Sequence, residues 1–220
     1  MRVSWLDSWL EFLDDDCPWH EEGCPPTCNW IATPEDLEIQ LRGRFQPTRE
    51  MKIGTEFHSA LELFLVGENE GDEELLYGPH MEHRFDFAEV DVTLPIGATL
   101  EVRRDAEVAP GVVLTGKPDA VLRDVIYDWK STWSTPDIDR YHDSMQWRAY
   151  LELVPEANDF EYFIFQVADP LKRQAEDIIR VRRVATYRQH RYEGMAKEVR
   201  DTACELATWM ESRGLEGYAG

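Results

Sequence analysis

The sequence predicts an α/β fold in which helices flank a mixed central sheet. Three observations carry this: an apolar stripe at helical spacing in TEFHSALELFLVG, two β-rich runs (GVVLTGKPDAVL and VIYDWKS) parted by Arg123-Asp124, and the continuous apolar run FEYFIFQVA, of buried-strand type. Helices and strands mix without strict β-α alternation, which disfavours a doubly wound dinucleotide fold, and neither GxGxxG nor GxxxxGKS/T occurs. At 220 residues, 43% hydrophobic, the chain is sized for one domain with decorations around a substantial core.

The elements follow in order. Residues 4–13 place Trp5, Leu6, Trp9, Leu10 and Leu13 at helical spacing, and DDDCPWHEEGCPPTCNW then ends regular structure in a loop rich in Pro and Cys. Residues 35–45 are a second short helix. The third begins after Gly54, carries Phe57, Leu61, Phe64 and Leu65 on one stripe, and is closed by Gly67. GENEGDEELLYG is an acidic loop or irregular insert, and HRFDFAEVDVTLP alternates as a strand does. The two β-rich runs form a hairpin turning at Arg123-Asp124. Thr135-Pro136 supplies an N-cap with proline at the first helical position, for a helix running through IDRYHDSMQWRAYLEL to Pro155. FEYFIFQVA and DIIRVRRVATY are strands, and residues 188–212 a long final helix.

Composition excludes several classes. Charged residues at 30% and aromatics at 11% argue against disorder, collagen-like repeats and a coiled coil. Apolar runs such as LELFLVG and FIFQVA fall far short of the roughly 20 residues of a membrane span. The opening is acidic where a signal peptide would be basic, so the expectation is a soluble, cytoplasmic protein. The net charge of −21 is unfavourable for nucleic acid, but it is unevenly spread. Residues 1–101 hold 6 basic and 23 acidic side chains, whereas residues 172–200 hold 9 basic and 4 acidic, which leaves room for a local basic surface.

Chemistry concentrates in Gly116-Lys117-Pro118-Asp119 and Tyr127-Asp128-Trp129-Lys130. On a strand, residues i and i+2 share a face, so Asp128 and Lys130 project together while Trp129 points the other way. The hairpin brings Asp119 toward that pair. Two carboxylates beside one lysine suit a hard divalent cation with open positions for water and a phosphate, and the lysine can orient water or stabilise charge on phosphorus. Singly, each residue also fits an ordinary surface role. His58 and Glu62 lie one turn apart on the third helix, and Gln146 and Tyr150 one turn apart on the helix after the hairpin. His58 is either a metal ligand or a satisfied structural histidine, and Glu62 either supports the site or is a helix-surface carboxylate.

Taken together, Gly54 to His58, Pro118-Asp119, Asp128-Trp129-Lys130 and Gln146 to Tyr150 resemble, in order, the pattern of the PD-(D/E)xK nuclease superfamily. The likeness is to its RecB-type exonuclease branch, which includes CRISPR-adaptation nucleases and is similar to phage exonucleases. Ser4 through Cys17-Pro18 also resembles the opening of that branch, and the resemblance spans roughly residues 4–165. It implies a restriction-endonuclease-like mixed sheet in a single nuclease domain over 1–220. Within it, 1–50 form the N-terminal helix and cysteine loop, 54–167 the catalytic core and 168–220 the C-terminal strand and helix. It further implies Mg²⁺ or Mn²⁺ held by His58, Asp119, Asp128 and the Trp129 carbonyl, with Asp119, Asp128 and Lys130 catalytic. Gln146 and Tyr150 would contact the substrate strand or buttress the site, with Glu62 behind the ligands. The implied activity is metal-dependent hydrolysis of DNA phosphodiester bonds, at single strands or duplex ends, in repair, recombination or phage DNA metabolism. The host would be a bacterial or phage-infected cell. The alternative is a non-catalytic or partner-dependent subunit of a helicase or recombination complex. Arg180, Arg182, Arg183, Arg188 and Arg191 are candidates to guide a phosphate backbone.

Cys17, Cys24, Cys28 and Cys204 are enough for an Fe₄S₄ cluster or a structural Zn²⁺. Relatives that bind a cluster have one early cysteine and three late; here three are early and one late. A cluster, a zinc site and unligated thiols all remain open.

Overall fold

The computed structural model describes residues 1–14, 31, 33–44, 46–168 and 177–215. The helices are α1 (Val3–Leu13), α2 (Pro34–Leu41), α3 (Arg49–Val66), α4 (Ile138–Asp143), α5 (Met145–Leu153) and α6 (Met195–Ser212). The strands are β1 (Leu75–Leu76), β2 (Arg84–Asp86), β3 (Thr99–Leu100), β4 (Arg104–Ala109), β5 (Val112–Gly116), β6 (Ala120–Leu122), β7 (Val125–Thr132), β8 (Asp159–Val167) and β9 (Ile178–His190). Seven strands form one mixed sheet in the order β1-β2-β9-β8-β7-β6-β3, while β4 and β5 form a separate ribbon. The pairs β7/β8 and β2/β9 are parallel and the other pairs of the large sheet antiparallel.

The two faces of the sheet are covered by different helices. Strand alternation sends Ile126, Phe160, Tyr162 and Ile164 into one apolar cluster with Trp5, Leu6 and Trp9 of α1, Trp147 and Leu151 of α5, and Leu206 of α6. It sends Trp129, Phe163, Phe165 and Val167 into a second, where Ile53, Phe57 and Leu61 of α3 pack with Phe85 and Phe87. Burying each such aliphatic or aromatic side chain contributes roughly 1.5–3 kcal/mol.

Local chemistry explains where the elements stop and start. Thr48 accepts from the Met51 N–H at 3.2 Å, so α3 begins at Arg49, earlier than the expected start after Gly54, and Gly67 in the left-handed region ends it. Thr33 and Asp36 form a reciprocal capping box on α2. The expected continuous helix from Thr135-Pro136 is instead two: Asp137 caps α4, and Ser144, at φ −55° and ψ 134°, breaks the chain and caps α5. In HRFDFAEVDVTLP only Arg84–Asp86 pairs as a strand. The final helix starts at Met195, not residue 188, because β9 stays paired with β8 through His190. The hairpin at Arg123-Asp124 forms as expected between β6 and β7, with Arg123 at φ 58°. Among the described residues no helix is long and apolar enough to cross a membrane.

Candidate active site

The site lies where β7 outruns β6. Pairing of these strands stops at Ala120 with Tyr127, so beyond it that side of β7 has no strand neighbour among the described residues. Asp119, immediately before β6, takes over: its Oδ2 accepts the buried Trp129 N–H at 2.7 Å. A residue's N–H and C=O point to the same side of an extended strand, so the Trp129 carbonyl faces the Asp119 side as well. Trp129 itself is 0% exposed, its ring in the α3 cluster against Phe163. Asp128 and Lys130 project from the opposite face, as the alternation predicts.

Lys130 Nζ stands 2.6 Å from Asp128 Oδ2. Asp128 is 2% exposed, so this ion pair is buried on the carboxylate side. Burial pushes the Asp128 carboxyl up to about 6; Lys130 pulls it down and Asp119 adds to the rise. For Lys130, burial opposes the ammonium but is outweighed by Asp128 and Asp119, so its pKa is raised. Its Nζ also lies 5.9 Å over the ring of Tyr162, which pairs opposite Asp128 on β8. From α3, His58 brings Nδ1 to 3.5 Å from Asp119 Oδ2. Glu62, one turn on, has its carboxyl raised by burial and by Asp119, which places it in the same field. It lines an open cavity of about 560 Å³ with Ser59, Leu63 and Met81.

On α5, Tyr150 donates its hydroxyl to the Lys117 carbonyl at 3.1 Å, two residues before Asp119, and burial keeps its phenol protonated. Gly116 makes this approach feasible: a Cβ there would lie 2.7 Å from Leu153 Cδ1 and 2.8 Å from Tyr150 Cε1. Tyr150 and Lys117 line a second cavity of about 340 Å³ with Arg2, Ser4 and Thr115. Gln146 is half-buried one turn before Tyr150.

Family membership follows from a second, independent line. The profile of the PD-(D/E)XK nuclease superfamily matches residues 36–214. The chain belongs to that superfamily. Among solved structures, this superfamily member is similar to SSO0001 at TM-score 0.51 and 17% identity, over 94% of this chain and 75% of that one. An alkaline exonuclease, LHK-Exo from Laribacter hongkongensis, aligns at TM-score 0.49 and 12% identity over 97% and 88% of the two chains. A phage-related exonuclease from Haemophilus somnus aligns at 0.42 and 15% over 94% of each. The likeness to SSO0001 speaks for the fold. No curated protein sequence matches the chain.

Other expectations fare differently. Arg180 lies 3.7 Å from Asp86, Arg188 3.3 Å from Glu161, and Arg191 2.8 Å from Glu152; Arg180 and Arg188 stay exposed in their pairs, while Arg191 is half-buried. Arg182 and Arg183 are exposed on β9. Cys17, Cys24 and Cys28 lie outside the described residues, and Cys204 is a free, half-buried thiol on α6. Glu56, Glu82 and His83 bring ligand-type atoms within 4.8 Å of one another, a grouping the sequence did not suggest. Glu56 is already engaged there, accepting the N–H groups of Glu82 and His83 at 3.2 Å each and meeting His83 Nδ1 at 2.7 Å. The cluster therefore fastens α3 to the turn entering β2. Sequence inspection missed Asp7 altogether: its carboxylate accepts from Ser144 Oγ and the Met145 N–H.

Proposed function

We propose that this superfamily member is a metal-dependent deoxyribonuclease, an exonuclease or DNA-end-processing enzyme that hydrolyses phosphodiester bonds as one domain over residues 1–220. The observation that carries it is the chain of neighbours at this side of β7: His58 beside Asp119, Asp119 bonded to the Trp129 N–H, and Asp128 paired with Lys130, with Asp119 and His58 in the electrostatic field of Asp128.

The donor types suit a divalent cation, although the His58, Asp119 and Asp128 ligand atoms do not all lie within 4.8 Å of one another. Asp128 Oδ2 is a buried carboxylate oxygen in contact with the Lys130 ammonium at 2.6 Å. Two carboxylates, a main-chain carbonyl and an imidazole form a mainly hard donor set suited to Mg²⁺ or Mn²⁺. Asp119, Asp128, the Trp129 carbonyl and His58 would hold it. When bound, the cation supplies a lowered water pKa and neutralisation of charge at phosphorus. Lys130, kept as an ammonium by the two carboxylates, donates toward water or a phosphoryl oxygen and acts as a fixed positive charge. Asp119, bonded to the Trp129 N–H, holds its carboxylate in one orientation. Glu62 adds negative charge behind His58, and from α5 Gln146 and Tyr150 would contact the substrate strand or buttress the site, the bond from Tyr150 to the Lys117 carbonyl favouring a buttressing role for Tyr150.

The −21 charge favours one second reading, in which a helicase or recombination protein supplies DNA affinity. End-labelled single- and double-stranded linear DNA, with a closed circular control, separates the two. Loss of linear DNA by the purified chain in Mg²⁺ or Mn²⁺ supports the autonomous nuclease. Loss only with a partner present supports the second, and inertness under both conditions overturns the nuclease.

A further inference from the structure

We propose that Asp7 is a positioning residue for the candidate site: from α1 it fixes the N-terminus of α5, and through it the placement of Gln146 and Tyr150. This rests on the nuclease reading above.

The break at Ser144 leaves the first N–H groups of α5 without helical acceptors. Two acceptors meet them. Asp7 Oδ1 takes the Met145 N–H at 2.6 Å, and Ser144 Oγ takes the Gln146 N–H at 3.1 Å. Ser144 Oγ in turn donates to Asp7 Oδ2 at 2.8 Å, so one carboxylate holds both the cap and the residue beside it. A carboxylate at a helix N-terminus also meets the positive end of the helix dipole.

α1, which carries Asp7, is packed against α5. Trp5, Leu6 and Trp9 on α1 are buried in the same apolar cluster as Trp147, Tyr150 and Leu151 on α5. Gln146 follows Met145 directly, and Tyr150 lies one turn further along. Tyr150 ends the chain of contacts at the Lys117 carbonyl, two residues from Asp119. A change in the rotation of α5 at Met145 therefore moves both Gln146 and Tyr150 relative to Asp119. Ser144 alone would serve as an ordinary cap; the buried carboxylate beside it costs desolvation, and what it adds is a tie between α1 and this helix.

The test compares wild type, Asp7→Ala and Asp7→Asn in the full chain on a labelled single-stranded oligonucleotide in Mn²⁺, each also combined with Gln146→Ala. Asp7→Ala is expected to raise KM about tenfold with kcat within about threefold, since strand placement suffers while Asp119, Asp128 and Lys130 stay in place. Asp7→Asn, which keeps an acceptor for the Met145 N–H, is expected to remain within about threefold of wild type in both constants. Gln146→Ala should add little to Asp7→Ala, because the interaction it removes has already been weakened. If Asp7→Ala does not fold, Asp7→Ser replaces it with the same expectation, its shorter hydroxyl being unable to span both partners. A folded Asp7→Ala with wild-type KM and kcat, or effects that multiply with Gln146→Ala, overturns the inference alone. A wild type that cleaves nothing overturns the nuclease reading and this inference with it.

Discussion

Asp119 Oδ2 accepts the main-chain N–H of Trp129 at 2.7 Å, and this bond ties the residue before β6 to β7 at the point where strand pairing ends. One carboxylate thus completes the sheet and orients the candidate ligand set. The two roles separate by mutation. Asp119→Ala leaves a buried N–H without an acceptor and is expected to cost about 1–3 kcal/mol of stability as well as cleavage. Asp119→Asn keeps an acceptor, so cleavage should fall while the urea midpoint stays close to wild type. Equal destabilisation by the two variants would show that the bond to Trp129 is not what Asp119 contributes to the fold.

Gly116→Ala tests the packing that supports Tyr150. The new Cβ meets Leu153, Tyr150 and Val3 within 2.8 Å, and overpacking of this kind costs about 1–3 kcal/mol. Thermal unfolding should show the loss, and cleavage should fall with it as Tyr150 is pushed from Lys117. A variant as stable and active as wild type would mean that the contact relaxes freely.

Arg191→Ala should behave as a structural lesion. Its guanidinium donates to the carbonyls of Leu151 and Ala157 and pairs with Glu152, closing the turn between α5 and β8. Hydrogen bonds to a charged group are worth about 1.5–3 kcal/mol, so the urea midpoint should drop while DNA affinity of the folded fraction is unchanged. Weakened affinity with unchanged stability would return Arg191 to the phosphate-guiding role its charge first suggested.

Much of this architecture was legible because it is local. The stripe through Phe57 and Leu61, the turn at Arg123-Asp124 and the alternation of Asp128, Trp129 and Lys130 are short-range signals, and each appears in the structure. Three features were not. The β4–β5 ribbon was hidden because Arg104–Ala109 mixes charged and small residues, and one face of the ribbon packs on helices distant in sequence. The break at Ser144 was hidden because apolar spacing continues across it. Asp7 was hidden because its partners lie 137 and 138 residues away, a distance over which sequence periodicity carries no information. The arginines of β9 gave a correct local charge but no sign of the acidic residues facing them across the sheet.

Asp7 also predicts a pH dependence. Burial holds its carboxyl above the ordinary 3.8, despite the bonds from Ser144 and Met145 and the nearby Lys130 ammonium on β7; Glu11, one turn along α1, is the neighbouring acid. A raised carboxyl pKa means the folded chain binds this proton more tightly than the unfolded chain. The associated stability is present below the ordinary value and is lost as pH rises through the folded one. Asp7→Asn removes that slope, so its stability relative to wild type should improve as pH rises above the ordinary carboxyl value. Urea midpoints of both proteins across an acid-to-neutral pH series check it, and a constant difference would contradict it.

The central claim is that His58, Asp119, Asp128 and Lys130 form one hydrolytic centre. Its most direct test is the rate of linear-DNA cleavage by wild type and Asp128→Asn at saturating Mn²⁺, with thermal unfolding of both measured alongside. The expected result is cleavage by wild type and a loss of roughly 100-fold or more in the variant at similar stability, in line with removal of a group that stabilises the transition state. Cleavage by Asp128→Asn at the wild-type rate would contradict the claim.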